Sequence, residues 1–268
     1  MSKDERILRI GRFDIACRVS GNSSGKAVVF IHGFGSAKEY FRHAFDSPFL
    51  EGFLLVAIDL VGFGRSRGPE DFGYGMDEQA RVMLSALDEL EIESFHLVAH
   101  SMGGLVGMNM AAMAPGRVLS FVDLEGNLLR EDCFMTGRVA GMSPEDFIGG
   151  GREDLEREFA EAGREDPVLL EYLETFSAAS GDALYKSAVH TVEGSTSALV
   201  DKLSRMENAC YIYGERNRGV YPAEKLLQAS GVPLFYIAGA GHSMATENPE
   251  GLYRAISAFI AGLETAGS

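Results

Sequence analysis

Short apolar runs alternate with longer stretches of helical periodicity along nearly the whole chain, and that alternation is what most limits the fold. Residues 27–32 (AVVFIH), 54–59 (LLVAID) and 95–100 (FHLVAH) are almost unbroken apolar runs of strand length, as expected of strands covered on both faces. Residues 13–19 read as an opening strand, 118–124 as a further one, and 209–213 and 234–238 as the last two. Between them, residues 77–90 carry Ala80, Met83, Leu84, Leu87 and Leu90 at helical spacing. Residues 103–114 form a small-residue helix stopped by Pro115, and 249–263 a closing helix with Leu252, Ile256, Phe259, Ile260 and Leu263 on one face. Strands alternating with helices predict an α/β fold, a mostly parallel central sheet flanked by helices.

Residues 128–206 break this rhythm. They are rich in Glu, Asp, Arg and Gly, and no strand fits there; 153–162 and 168–176 are the clearest of several short amphipathic helices. The expected organisation is a core of residues 1–127 and 207–268, with residues 128–206 inserted as a helical cap, or lid, over the carboxyl edge of the sheet, where open α/β sheets bind ligands. A length of 268 residues suits one large domain with such an insertion.

A formal net charge of −15 argues against nucleic acid and anionic membrane surfaces as partners. The polar residues 1–6 lack the apolar core of a secretory signal, and no stretch approaches the ~18 apolar residues of a membrane span. Cys17, Cys133 and Cys210 lie far apart, which reads as reduced thiols in a cytoplasmic protein. Neither they nor the six histidines show metal-ligand spacing, so no metal and no cofactor are expected.

The chemistry concentrates in three places. In Ala99-His100-Ser101-Met102-Gly103-Gly104 an apolar strand turns abruptly into a helix. A serine on so sharp a turn is lifted out of the sheet with its hydroxyl exposed, at a helix N-terminus that favours developing negative charge. Small residues are needed two before and two after it; Gly103 supplies one and Ala99 stands at the other. Ser101 is the candidate nucleophile. After the first buried strand, His32-Gly33-Phe34-Gly35 offers an oxyanion hole, with the Phe34 amide as one donor and the Met102 amide as the other. His32 reads as structural, shaping this loop, and His100 is expected to point away from the nucleophile. Near the end of the chain, Ile237-Ala238-Gly239-Ala240-Gly241-His242 delivers a histidine on a glycine-rich turn before the last helix. His242 is the candidate general base.

These elements together resemble the α/β-hydrolase superfamily, in its serine-nucleophile esterase, lipase and thioesterase-like branches. Asp59-Leu60-Val61-Gly62-Phe63-Gly64-Arg65-Ser66 also looks like the family's loop after the next strand. The resemblance implies a catalytic triad, and one position departs from it. The family usually carries the acid in a Gly-Glu-x-Asp-like run, which here reads Gly214-Glu215-Arg216-Asn217, with Asn217 where an aspartate is expected. Some branches, such as the relatives of haloalkane dehalogenases, carry the acid one strand earlier, and Glu125 in Asp123-Leu124-Glu125-Gly126-Asn127 stands there. Glu125 is the preferred acid, with Glu215 and Asp123 as alternatives. A dehalogenase is not implied: that chemistry uses an aspartate nucleophile, and this chain has Ser101 and no tryptophan.

Phe34, Met102, Phe63, Phe134, Met135, Met142, Phe147, Tyr172 and Phe176 are candidates to line an apolar pocket. The expectation is a cofactor-independent hydrolase of carboxylic esters or thioesters acting on a small-molecule acyl substrate through an acyl-enzyme. The alternatives are a carbon–carbon-bond hydrolase, an acyltransferase, or a non-catalytic ligand-binding module on the same fold. The sequence leaves the oligomeric state open.

Overall fold

The computed structural model describes residues 4–266. Eight strands form one sheet: β1 Glu5–Ile10, β2 Phe13–Gly21, β3 Ala27–Ile31, β4 Leu54–Ile58, β5 Phe95–His100, β6 Val118–Leu124, β7 Ala209–Gly214 and β8 Leu234–Ile237. Their order is β1-β2-β4-β3-β5-β6-β7-β8. β2 pairs antiparallel with both β1 and β4, and every other pair is parallel.

The edge strand β1 has no counterpart in the expected elements. Its residues, Glu-Arg-Ile-Leu-Arg-Ile, are half charged, and none is fully buried. An edge strand packs only weakly and so carries little apolar signal. It is folded back on β2 by a turn through Gly11, at φ 58°.

Side chains of successive strand residues go to opposite faces, and the core divides accordingly. Val29, Ile31, Leu97, Ala99 and Phe121 face one layer, against Ala80, Met83 and Leu87 of the helix Met76–Glu89 and Leu105 of the helix Met102–Met113. Val28, Phe30, Val98, Val122 and Ile212 face the other, against Phe41, Ala44, Leu252, Ile256 and Ile260. Phe30 is fully buried between them; truncating such a residue to alanine costs roughly 3–5 kcal/mol.

The strand order reverses at β3. From β3 the chain moves outward to β4, then crosses back to β5 on the other side. Loops leaving the carboxyl ends of β3 and β5 therefore diverge and open a crevice.

Between β6 and β7, every regular element among the described residues is a helix; the longer ones are Phe134–Ala140, Arg152–Ala162, Pro167–Ala178, Gly181–Gly194 and Ala198–Ser204. Local chemistry starts two of them. The Asp166 carboxylate accepts from Val168 N ahead of a helix opened by Pro167, and Ser180 Oγ accepts from Ala183 N. No helix among the described residues is long and apolar enough to cross a membrane.

Candidate active site

Ser101 sits between the last residue of β5 and the first of the following helix, at φ 54° and ψ −124°. A non-glycine residue there is strained by about 1–3 kcal/mol, a cost that clusters at functional sites. The sharp turn works because the helix start lies against β3: a Cβ on Gly103 would fall 2.6 Å from the His32 carbonyl oxygen and 2.8 Å from that of Ile31. On the strand side, the Ala99 methyl is fully buried and accommodated. Ser101 is 8% exposed. Its hydroxyl donates to Asn127 Oδ1 at 3.4 Å.

His242 follows the turn after β8. Its Nδ1–H donates to Glu125 Oε2 at 2.7 Å, leaving Nε2 as the proton acceptor. Glu125 stands directly after β6 at φ 46° and is completely buried. Its Oε1 accepts from Gly214 N at 2.8 Å and from Asn217 Nδ2 at 3.0 Å, and its Oε2 accepts from Asn217 Nδ2 at 2.9 Å. Burial would push the Glu125 carboxyl up, but the hydrogen bond and charge of His242, with the Gly214 and Asn217 donors, hold it below its ordinary value. The Tyr221 hydroxyl lies 3.2 Å from His242 Nδ1.

Of the other acids considered, Glu215 accepts from Gly239 N and makes no bond to His242 among the described residues. Asp123 is fully buried beneath the turn, and burial pushes its carboxyl well above its ordinary value; it makes no bond to His242 among the described residues.

Phe34 follows β3 and lines the cavity above Ser101; Met102, the first residue of its helix, is fully buried. Gly33 brings the Phe34 loop down onto the nucleophile turn: a Cβ there would sit 2.9 Å from Ser101 Cβ. His32 ties this loop to the next one. Its Nε2 accepts from Leu60 N at 2.9 Å, so Nδ1 carries the proton and donates to Gly33 O at 2.8 Å; burial lowers its pKa and keeps it neutral.

His100, expected to point away from Ser101, instead lines the same cavity as Ser101 and His242. Strand alternation puts it on the face of Val98, and that face is covered by Ala240, Met244 and Ala245 of the histidine loop. Its ring lies 4.5 Å from that of His242 and stacks at 4.4 Å on Tyr40. Its Nε2–H donates to the His242 carbonyl at 3.0 Å, and burial holds its pKa far below the ordinary value. It supports the histidine loop as a neutral ring.

Ser101 and His242 open onto a cavity of about 610 Å³. Four of the nine expected pocket residues line it: Phe34, Phe134, Met135 and Tyr172. Phe63, Met102, Phe147 and Phe176 are buried in the main core instead, and Met142 packs against it. Helical spacing alone does not separate a cavity wall from a core face. Across the cavity, Arg42 donates to both oxygens of Glu171 at 2.9 and 2.8 Å, joining the 3-10 turns Lys38–Asp46 to the helix Pro167–Ala178.

Sequence reasoning missed Asn127, Asp132 and Tyr221, which line the same cavity. Asn127 was within reach of it, two residues beyond Glu125 on the same turn; Asp132 and Tyr221 carry no motif. The Asp132 carboxylate accepts from Leu129 N at 2.8 Å and Ala223 N at 3.3 Å, and burial pushes its pKa up to about 6. Among the described residues, no group of three or more His, Cys, Asp or Glu is placed to hold a metal ion.

A family model described as alpha/beta hydrolase fold matches residues 26–163. A putative carbamate hydrolase, RutD, of Variovorax paradoxus is 35% identical over 104 residues, 39% of this chain and 39% of that protein. The dihydrolipoyllysine-residue acetyltransferase component of the acetoin cleaving system of Pseudomonas putida is 26% identical over 90% of this chain and 65% of its own length. The chain thus spans less than two thirds of either relative. Among solved structures, one from a study of carboxylesterases of the thaumarchaeon Nitrososphaera gargenis superposes with a TM-score of 0.81 over 97% of this chain and 100% of that one, at 18% identity. A likeness at that identity speaks for the fold alone.

Proposed function

Because the chain belongs to the alpha/beta hydrolase fold family, we propose that it is a serine hydrolase cleaving a carboxylic ester or thioester through an acyl-enzyme. The observation that carries this reading is the 2.7 Å bond from His242 Nδ1 to a buried carboxylate, with the strained Ser101 opening onto the same cavity.

In this mechanism Ser101 Oγ attacks the carbonyl carbon while His242 Nε2 takes its proton. The oxyanion is received by the amides of Phe34 and Met102, an interaction worth more as charge develops than in the ground state. The Glu125 carboxylate stabilises the imidazolium and fixes its tautomer. His242 then protonates the leaving group, and water releases the acyl group by the reverse sequence. No cofactor is invoked. The apolar walls suit a medium-chain or aromatic acyl group. Residues 128–206 act as a lid over the cavity, with the Arg42–Glu171 pair as a contact that opening must break. Protection from hydrogen exchange in residues 128–206 equal to that of residues 95–114 would count against a mobile lid.

The test is a screen of aryl esters and acyl thioesters of graded chain length, with Ser101→Ala as control. Turnover of at least one class that disappears in the variant supports the reading; equal rates in both would end it.

A further inference from the structure

The residue beside the nucleophile that sequence motifs do not mark is Asn127. It is 5% exposed and faces the cavity. Its carboxamide orientation is fixed: Nδ2 donates at 3.1 Å to the carbonyl oxygen of Asp132, a group that can only accept, so Oδ1 is the atom turned to Ser101. Its own carbonyl accepts from Ser195 Oγ at 2.9 Å, at the C-terminal end of the helix Gly181–Gly194. An acceptor held rigidly from both sides stands 3.4 Å from the attacking oxygen.

That acceptor has a donor only before the reaction. Once Ser101 is acylated, Oγ is an ester oxygen with no hydrogen, and Oδ1 is left unpaired in a nearly buried site. An unpaired acceptor there is unfavourable, and the donor that can enter is a water molecule. A water bound to Oδ1 sits next to the acyl carbon carried on Oγ.

We infer that Asn127 is a catalytic residue of the second half-reaction, its Oδ1 holding the water that hydrolyses the acyl-enzyme. This rests on the serine-hydrolase reading above. One water hydrogen is held by Asn127 Oδ1 and the other passes to His242 Nε2 as the water oxygen bonds to the acyl carbon. The tetrahedral adduct then collapses, the acyl carbon–Oγ bond breaks, and His242 returns the proton to Oγ. The products are the carboxylic acid and free Ser101, and no further reactant is needed.

The test uses p-nitrophenyl acetate, whose activated leaving group makes acylation fast and leaves deacylation to set kcat. In Asn127→Ala, kcat is expected to fall about tenfold to a hundredfold, the worth of a hydrogen bond to a reacting water. KM should fall in step, so that kcat/KM stays within a few-fold, and an acetylated Ser101 should accumulate in the mass spectrum. Hydroxylamine, a stronger nucleophile that does not depend on a positioned water, should restore turnover. Asn127→Ser keeps a polar side chain but is too short to bring an acceptor to the position of Oδ1 beside Ser101, and should give the same split should the alanine variant not fold. A parallel loss of kcat and kcat/KM without accumulated acyl-enzyme, or an unchanged kcat, overturns the assignment of Asn127. A parent protein that never acylates Ser101 with any ester overturns the hydrolase reading itself, and this one with it; that outcome is visible before any variant is made.

Discussion

Asn217 Nδ2 donates to both oxygens of the Glu125 carboxylate, at 3.0 Å to Oε1 and 2.9 Å to Oε2. The amide that stands where the family usually carries its acid thus clasps the acid that stands one strand earlier. With a carboxylate after β6, a second carboxylate after β7 would meet it as a like charge. An amide there supplies donors instead, and together with Gly214 N it leaves Oε2 facing His242.

Ser101→Ala should abolish hydrolysis of an activated ester. Removing a triad member costs roughly 10⁴–10⁶-fold in comparable enzymes, and the Ser101 hydroxyl lines the same cavity as His242. Steady-state rates on the variant, with circular dichroism to establish its fold, decide the matter. A serine-directed phosphonate should label Ser101 in the parent; a label on another residue would move the nucleophile elsewhere.

Gly33→Ala should reduce turnover while leaving the protein folded. The added methyl would lie 2.9 Å from both Ser101 Cβ and His100 Nδ1, so the Phe34 loop must shift outward. Loss of one oxyanion donor costs up to about 10²–10³-fold in kcat, and a displaced amide should give part of that. If the variant is as active as the parent, the Phe34 amide does not receive the oxyanion.

The central strands were legible because apolar runs of five or six residues can be buried on both faces, and β3 to β7 are buried almost throughout. β1 was not, because three charged residues in six on a partly exposed edge look like a solvated tail. At the site, Ser101, His242 and Glu125 are marked by chain order and by glycine turns. The surroundings of His242 depend on contacts between distant segments: Tyr40, His100 and Tyr221 reach it across 202, 142 and 21 positions of sequence. The part played by Asn217 was hidden for a related reason. An asparagine where the family carries an aspartate reads as a departure, and only the folded chain shows that its amide donates to Glu125.

Asp132 gives a stability prediction with a definite sign. Its carboxyl rises from an ordinary value of 3.8 to about 6 on folding, so the native state binds more protons than the unfolded chain between those values. The stability it contributes is fully present below about 3.8 and is lost as the pH rises through about 6. At ~1.4 kcal/mol per unit this is of the order of 3 kcal/mol. Asp132→Asn removes the titration, so the stability difference between variant and parent should shift in the variant's favour between pH 4 and pH 8. Denaturant unfolding of both proteins across that range measures it; a difference independent of pH would mean that Asp132 does not titrate there.

Glu125→Gln should fold and yet lose most of its activity, for a reason specific to this clasp. The three N–H contacts from Gly214 and Asn217 demand acceptors, so the glutamine oxygen turns toward them and its NH₂ group is left facing His242 Nδ1. Nδ1 must then accept, the ring proton moves to Nε2, and the base is in the wrong tautomer for Ser101. The comparable change in a serine protease costs about 10⁴-fold. Asn217→Ala removes donors but keeps the charge, so its loss should be nearer the worth of one hydrogen bond, about fivefold to tenfold. It should also raise the Glu125 pKa, which these donors help to depress. The stability that Glu125 contributes is present above its unfolded pKa and lost as the pH falls through the folded one; the Asn217→Ala variant should therefore give way at a higher pH on acidification. Adding Asn217→Asp to Glu125→Gln returns a carboxylate to the cluster at the family's usual position, and a partial recovery of turnover is expected. In the parent background the same Asn217→Asp change sets two carboxylates against each other, and the pair should share a proton at higher pH. Glu125→Gln retaining more than about a tenth of the parent's activity, or falling no further than Asn217→Ala, would remove Glu125 from the triad.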